Sequence, residues 1–343
     1  MGLSVAVVGV GRWGVNHVRV LSKLRGELVD ALFVVDSNPS RASSVASRYG
    51  CDGWYPSVED LLRSEKELDA AVVAVPTVHH FHVSRVLADK VHLLVEKPLA
   101  ASIEEGLELL RSARRGGKLL MVGHIERFNP VVHIVKQYSA SLGGPLTVEA
   151  KRVGPGPARD YTLNLGVAHD LLVHDVDVAN FVLDKLPRRV YALAMRDAAF
   201  PYETEVQALY EYPEGVTAYL TASWRSSPTY KHRSISVRTP SAIIRGDYIL
   251  RRVVVDNGVS RYSLGFVETS LQTETSSIEI SYLQPEPLEL ELRNFLEAAA
   301  GRAKPAITGL EGYIALKCIV KALESAVESR PVEIVWEELN SLE

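Results

Sequence analysis

The chain is poor in sulfur, in metal-ligand spacing and in long apolar stretches. Its two cysteines, Cys51 and Cys318, stand far apart and form no CxxC spacing that would hold zinc. No disulfide framework is expected, and each thiol reads as a small, buried, inert group. No apolar run reaches the roughly 20 residues that a membrane span needs. The first residues pass straight into a strand-like run without a basic stretch or a cleavage site, so no secretory signal is expected. Excess positive charge is lacking too: a net charge of −4 gives no field for the phosphates of a nucleic acid. These absences point to a cytoplasmic enzyme. A length of 343 residues, 47% hydrophobic and 23% charged, suits two ordinary globular domains.

What is present begins with a regular alternation. Leu3–Val10 is a short, nearly continuous apolar run, as a strand buried on both faces requires. A helix-like stretch to Leu24, an apolar run Leu28–Val35 and a helix Pro39–Tyr49 follow. Then come a short segment near Trp54, a helix over Val58–Ser64, a strand over Asp69–Val75 and a helix over His80–Asp89. A strand at His92–Val95, a helix at Ile103–Arg115 and a strand at Leu119–Val122 complete the pattern. Strand and helix in strict turn imply a doubly wound parallel sheet covered on both faces. Residues 1–122 are expected to form this Rossmann domain, and residues 123–343 a second domain. There, strand-like runs at Thr147–Val153, Arg189–Ala194, Glu205–Tyr212, Val216–Ala222, Ser234–Val237 and Arg252–Val255 predict a large, open, mostly antiparallel sheet flanked by helices.

Gly9-Val10-Gly11-Arg12-Trp13-Gly14 is a GxGxxG turn that follows the first strand and opens the first helix, the context in which the motif cradles a dinucleotide. Gly9 allows the tight turn, Gly11 the approach of a pyrophosphate, and Gly14 close helix–strand packing. The helix N-terminus adds N–H groups and a positive dipole end. Asp36 closes the second strand 22 residues after Gly14. A carboxylate there accepts hydrogen bonds from ribose hydroxyls and repels a 2′-phosphate, which favours NAD over NADP. Arg41 lies close enough to weaken that preference. The alternative is that Asp36 merely opens the turn Ser37-Asn38-Pro39.

Four further motifs occur in order. They are Val75-Pro76-Thr77-Val78-His79-His80, Val95-Glu96-Lys97-Pro98, Gly123-His124-Ile125-Glu126-Arg127-Phe128-Asn129-Pro130, and His169-Asp170-Leu171-Leu172-Val173-His174-Asp175-Val176-Asp177. With the glycine turn and the late segment that begins at Glu286, they resemble the Gfo/Idh/MocA family of sugar and polyol oxidoreductases over nearly the whole chain. Thr77 stands where that family usually carries asparagine. The resemblance implies that Lys97 points at the reacting hydroxyl, that Pro98 follows a cis bond, and that Asp170 and His174 form the catalytic DxxxH pair. Their spacing of four places Asp170 and His174 on one helix face, so the carboxylate can orient the imidazole that takes the proton. The alternative for that pair is a helix cap and a satisfied core histidine. His169, Asp175 and Asp177 are close by, but no metal is expected.

The resemblance further implies a cofactor site of Gly9, Gly11, Arg12, Trp13, Gly14, Asp36, Pro76, Thr77, His80, Glu96, Lys97 and Arg127. A substrate site would draw on Lys97, His124, Arg127, Asn129 and His174. Arg225, Lys231 and Arg233 could meet a diphosphate, since guanidinium forks suit phosphate oxygens, or could simply line a solvated sheet edge. The expected reaction is oxidation of a secondary sugar alcohol by NAD, by resemblance at C3 of a UDP-N-acetylhexosamine. Oxidation of a free polyol such as inositol, or a regulator that holds NAD without turnover, are the rival readings. The family commonly pairs through the outer face of its sheet, which implies a homodimer or homotetramer.

Overall fold

The computed structural model describes residues 2–65, 67–156, 165–198, 200–256, 275–279 and 286–341. They divide into two units. One comprises Met1–Phe128 with the described residues of Gln284–Lys317; the other comprises the described residues of Asn129–Leu283 together with Cys318–Ser341.

The first unit is built on β1 (Leu3–Val8), β2 (Val29–Val35), β3 (Gly53–Tyr55), β4 (Ala70–Val73), β5 (His92–Glu96) and β6 (Leu120–Gly123). Their order is β3-β2-β1-β4-β5-β6, and every pairing is parallel. The apolar runs read from the sequence are these strands: Val5, Ala6, Val7, Val72, Val73, Leu93 and Leu94 are wholly buried, as a sheet covered on both faces demands. Helices α1 (Gly14–Lys23), α2 (Pro39–Tyr49), α3 (Val58–Ser64), α4 (His80–Leu87) and α5 (Ile103–Arg115) connect them. Side-chain caps start three of these: Asn38 accepts from the Arg41 N–H, Ser57 from Asp60 and Ser102 from Glu105.

The first unit runs to Phe128, a few residues past the expected division at residue 122/123, and also takes in the described residues of Gln284–Lys317. In α8 (Pro287–Ala299), Leu288, Leu292, Phe295 and Leu296 bury themselves in one core with Val18, Leu21 and Leu24 of the first unit. Ion pairs of Arg19 with Glu286 at 2.7 Å and of Arg293 with Glu27 at 2.6 Å edge that contact. An apolar helix stripe must find a surface to cover it, and here the surface is α1.

The second unit holds β7 (Thr147–Val153), β8 (Arg189–Arg196), β9 (Glu203–Glu211), β10 (Thr217–Ser223), β11 (His232–Arg238), β12 (Ile243–Asp247), β13 (Arg252–Asp256), β14 (Thr275–Glu279) and β15 (Val332–Glu333). The sheet order is β14-β13-β12-β11-β7-β10-β9-β8-β15, and among the described residues only the β7–β10 pair is parallel. One face is apolar and buried through Val148, Ala150, Ala208, Tyr210, Leu220 and Ile235. Helices α6 (Pro130–Ser141) and α7 (Val173–Leu183) belong to this unit, and α9 (Gly309–Glu328) contributes its second half. Neither cysteine is in a disulfide; Cys318 is buried and Cys51 half-buried, and burial pushes the Cys51 thiol up to about 11, as an inert thiol requires.

Candidate active site

In the first unit, the chain leaves β1 for β2 on one side and later returns to β4 on the other. The carboxyl ends of β1 and β4 therefore flank the switch point where doubly wound sheets bind ligands. Gly9 sits there at φ 86°, and a side chain on it would strike the Val75 backbone at 2.8 Å. A Cβ on Gly14 would lie 1.8 Å from the Gly9 carbonyl oxygen, so helix and turn touch only because both positions lack side chains. A Cβ on Gly11, in contrast, meets nothing within 4 Å. That open cradle beside the N-terminus of α1 has the form a pyrophosphate requires, so these residues fit a dinucleotide.

Asp36, at the end of β2, is buried. Its Oδ2 accepts from the Val10 N–H at 3.0 Å and from Arg41 Nε at 2.9 Å. Its Oδ1 accepts from the Asn38 N–H at 2.9 Å and from Arg41 Nη2 at 2.8 Å. Burial alone would raise its pKa, but Arg41 and the two N–H groups outweigh burial and hold the carboxyl below the usual aspartate range.

Lys97 follows β5, and its flanks are anchored. On one side, the buried Glu96 carboxylate accepts from the indole N–H of Trp13, from His17 Nε2 at 2.8 Å and from the Lys97 N–H at 3.2 Å. Burial pushes that carboxyl up, and the hydrogen bonds from His17 and Trp13 more than reverse the push. The glycine turn and the strand end are thus tied together through one carboxylate. On the other side, the Lys97–Pro98 peptide is cis. His80 faces the Pro98 carbonyl at 2.8 Å through Nδ1 and the Val75 carbonyl at 2.9 Å through Nε2. His80, expected among the cofactor contacts, is 1% exposed with both ring nitrogens turned to backbone carbonyls, so it joins the ends of β4 and β5. Lys97 itself is half-buried between two buried neighbours, Glu96 and Pro98. Arg12, Trp13 and Pro76 are exposed, and Thr77 is half-buried.

His124, Glu126 and Arg127 are buried in the first unit, His124 completely. Asn129 begins the second unit, where its Oδ1 accepts from the Val131 N–H and caps α6. In the second unit the stretch Ala168–Leu172 is a π-helical turn that runs into α7. Asp170 lies in that turn and His174 in the first turn of α7, both half-buried. Their neighbours His169, Asp175 and Asp177 are buried, and Asp175 is committed to a fully buried bidentate pair with Arg152, at 2.9 Å from Nη2. Asp170 Oδ2 accepts from the Trp224 indole N–H at 3.2 Å, a partner that spacing alone did not reveal. Arg225, Lys231 and Arg233 are exposed, and Arg225 lies 3.6 Å from Asp197. Among the described residues, no three histidine, cysteine, aspartate or glutamate side chains gather as a metal site would require, and no helix is long and apolar enough to cross a membrane.

The glycine turn, the strand-end row, the parallel sheet and β7–β12 of the second sheet lie within residues matched by family models. Residues 3–124 match the oxidoreductase family with an NAD-binding Rossmann fold, and residues 138–247 match the GFO/IDH/MocA C-terminal domain. The chain belongs to the GFO/IDH/MocA family. Among curated members, the chain is 34% identical over 197 residues to UDP-N-acetylglucosamine 3-dehydrogenase of Acidithiobacillus ferrooxidans, across 56% of this chain and 58% of that protein. It is 31% identical over 189 residues to inositol 2-dehydrogenase 1 of Mycolicibacterium vanbaalenii, across 53% and 54%. The match thus spans little more than half of these relatives. Two solved structures share the fold: the Acidithiobacillus ferrooxidans enzyme (TM-score 0.79, 24% identity, 95% of this chain and 98% of that one) and levoglucosan dehydrogenase with NADH and levoglucosan (0.85, 16%, 98% and 100%).

Proposed function

We propose that this GFO/IDH/MocA member is an NAD-dependent dehydrogenase that oxidises a secondary hydroxyl of a sugar, at C3 of a UDP-N-acetylhexosamine. The observation that carries the reading is the strand-end row of the first unit: an open cradle at Gly11, a buried carboxylate at Asp36, and the half-buried Lys97 held by anchored flanks. Bound NAD+ would supply the two-electron acceptor. Lys97 holds the substrate oxygen and stabilises negative charge as it grows there. His174 takes the hydroxyl proton, and Asp170, steadied by Trp224, orients the imidazole. The carbon gives up its hydrogen with the bonding pair, and the ketone forms as the proton reaches His174.

The substrate rests on the 34% identity to a UDP-N-acetylglucosamine enzyme and on the exposed cations Arg225, Lys231 and Arg233, which suit a diphosphate. A second reading, a free polyol such as inositol, is favoured by the inositol dehydrogenase relative at 31%. A homo-oligomer and a cytoplasmic setting belong to the same proposal.

Absorbance of reduced nicotinamide, followed with UDP-N-acetylglucosamine, N-acetylglucosamine and myo-inositol in parallel, tests it. The nucleotide sugar is expected to react fastest, and added salt to weaken its binding, because exposed charge pairs are screened over about 8 Å at physiological ionic strength. A faster reaction with inositol would select the second reading. Lys97→Ala and His174→Ala are each expected to lower kcat by about 10²–10⁴-fold with dinucleotide binding retained. Retained turnover in either variant would remove that residue from the mechanism.

A further inference from the structure

The π-helical turn Ala168–Leu172 is held from β9 at two points, both within the second unit. The first is Glu203, the opening residue of β9 and 5% exposed. Its Oε1 accepts from the Ala168 N–H at 3.0 Å, one of the N–H groups at the start of the helix that depend on a partner outside it. Gly166 makes the room: a Cβ there would lie 2.1 Å from the same Oε1, so the carboxyl group lies directly against the backbone that enters the turn. The second point is Thr204, whose carbonyl accepts from the Trp224 N–H at 2.8 Å. The Trp224 indole in turn donates to Asp170 Oδ2 at 3.2 Å, inside the turn. Two adjacent residues of one strand thus fix both the turn that carries Asp170 and the tryptophan that meets it.

We propose that Glu203 is a positioning residue for the proton-transfer pair: its carboxyl oxygen, seated against Gly166, holds the π winding of Ala168–Leu172 and so sets the angle between Asp170 and His174. The inference rests on the reading of those two residues as the pair that takes the hydroxyl proton, and it goes beyond that reading in naming what holds them. A π turn carries one residue more than an α turn, and each residue of a helix turns the chain by about 100°. Asp170 lies inside the turn and His174 beyond it, in α7. Relaxation of the turn to α winding therefore rotates the two side chains relative to each other by about that angle and takes Asp170 away from the Trp224 indole. Such turns are rare, and Glu203 supplies a tether from outside the helix. Burial pushes its carboxyl up, and the Ala168 N–H restores only part of that shift. In either protonation state the group keeps an acceptor oxygen for Ala168, so the tether does not depend on the charge.

The test compares the full chain as wild type, Glu203→Ala, Glu203→Gln and Gly166→Ala, in steady-state kinetics and in nuclear magnetic resonance spectra of nitrogen-labelled tryptophan, with Tm recorded for each. Of the four indole N–H resonances, the one that disappears in Trp224→Phe belongs to Trp224. Kinetics use NAD+ with whichever of UDP-N-acetylglucosamine, N-acetylglucosamine and myo-inositol wild type oxidises fastest. Glu203→Ala is expected to lower kcat by about 10- to 100-fold, the cost of a misplaced catalytic group, with KM for NAD+ within about twofold of wild type. Its Trp224 indole resonance should move upfield as the bond to Asp170 is lost. Glu203→Gln keeps an acceptor in the same place, so kcat should return to within about threefold of wild type and the resonance to its position. Gly166→Ala pushes the same carboxyl group aside and should reproduce both defects. Joining it to Glu203→Ala should add little, as expected of two residues that act through one contact. An unchanged kcat per folded molecule in Glu203→Ala overturns the proposal. So does a loss in Glu203→Gln equal to that in Glu203→Ala, which would make the charge and not the tether the active feature. A fall in kcat with the Trp224 resonance unmoved would mean that Glu203 acts by another route, and the proposal fails there too. Wild type that binds NAD+ yet oxidises none of the three substrates would overturn the proposed function, and the inference with it.

Discussion

Two buried carboxyls give the first unit opposite responses to pH. Asp36 has a folded pKa below its unfolded one, so its contribution is complete above the ordinary aspartate value near 4 and is lost as pH falls through the depressed value. Glu291 on α8 is the reverse case. Its side chain is wholly buried, and neither carboxyl oxygen has a hydrogen-bond partner among the described residues. Burial, and then the nearby Glu96 carboxylate, push its pKa well up. The folded state therefore keeps a proton that the unfolded chain releases, and stability falls as pH rises from the ordinary glutamate value near 4.3 toward the raised one. Glu291→Gln keeps the shape and removes the ionisation. We predict a Tm several degrees higher than wild type at pH 8, where each kcal/mol is worth about 2–4 °C, and little change at pH 4. Calorimetry at both pH values decides it, because an equal shift at both would place the effect outside ionisation. Asp36 was legible from its distance to the glycine turn. Glu291 was hidden in a Leu/Glu alternation that looks solvent-facing, although its place between Leu288 and Phe295 falls on the buried stripe of the helix.

Among the elements, the turn at Ala168–Leu172 shows what periodicity can and cannot read. The sequence places Asp170 and His174 on one helix face, yet the turn that carries Asp170 is wound as a π-helix before α7 begins at Val173. Such turns are inserted where a side chain must be re-aimed, and the spacing of four between Asp170 and His174 no longer fixes their relation. What holds Asp170 is Trp224, just beyond the end of β10. A hydrogen bond to a charged group is worth about 1.5–3 kcal/mol. Trp224→Phe keeps most of the ring and drops the N–H, so kcat should fall by roughly tenfold, which corresponds to 1.36 kcal/mol, with KM little changed. A purely structural tryptophan would instead lower Tm and leave kcat per folded molecule untouched. The strands β1, β2, β4, β5 and β6 of the first unit were legible to within about two residues because each is largely buried and so reads as a nearly continuous apolar run, whereas β3 read only as a short segment because it has three residues and an exposed Trp54. The short strands β12, β14 and β15 were not, since Ile243–Asp247 carries an arginine and a glycine, Thr275–Glu279 is mostly polar, and Val332–Glu333 has only two residues. Helix α6 was missed because Asn129-Pro130 reads as part of a motif, whereas it is also a cap followed by proline in the first turn.

On the scale of the whole molecule, the order of units was legible and their exact membership was not, because a helix such as α8 can cover any apolar surface of the right width. Among the described residues, the outer face of the nine-stranded sheet carries a group of exposed apolar side chains. Tyr191 on β8 pairs directly with Leu209 on β9, and Leu209 with Tyr219 on β10. These three side chains form a row across three strands, with Leu193 next to it, and they are 39%, 46%, 43% and 49% exposed. Scattered exposed leucines need no explanation, but a contiguous aromatic and aliphatic row on an open sheet costs free energy in water at about 25 cal/mol per Å² and marks a contact surface. The occupant we propose is a second copy of the chain, since a face that meets its own two-fold mate is self-complementary. Light scattering after gel filtration should then give a dimer or a larger multiple for wild type. Leu209→Lys puts a charge in the middle of the row, where neighbours from both strands would desolvate it, and should shift the protein toward monomer at micromolar concentration. Because position 209 faces outward, circular dichroism should show the sheet intact. A monomeric wild type, or a Leu209→Lys variant with unchanged mass, would mean that this face meets solvent or a different partner.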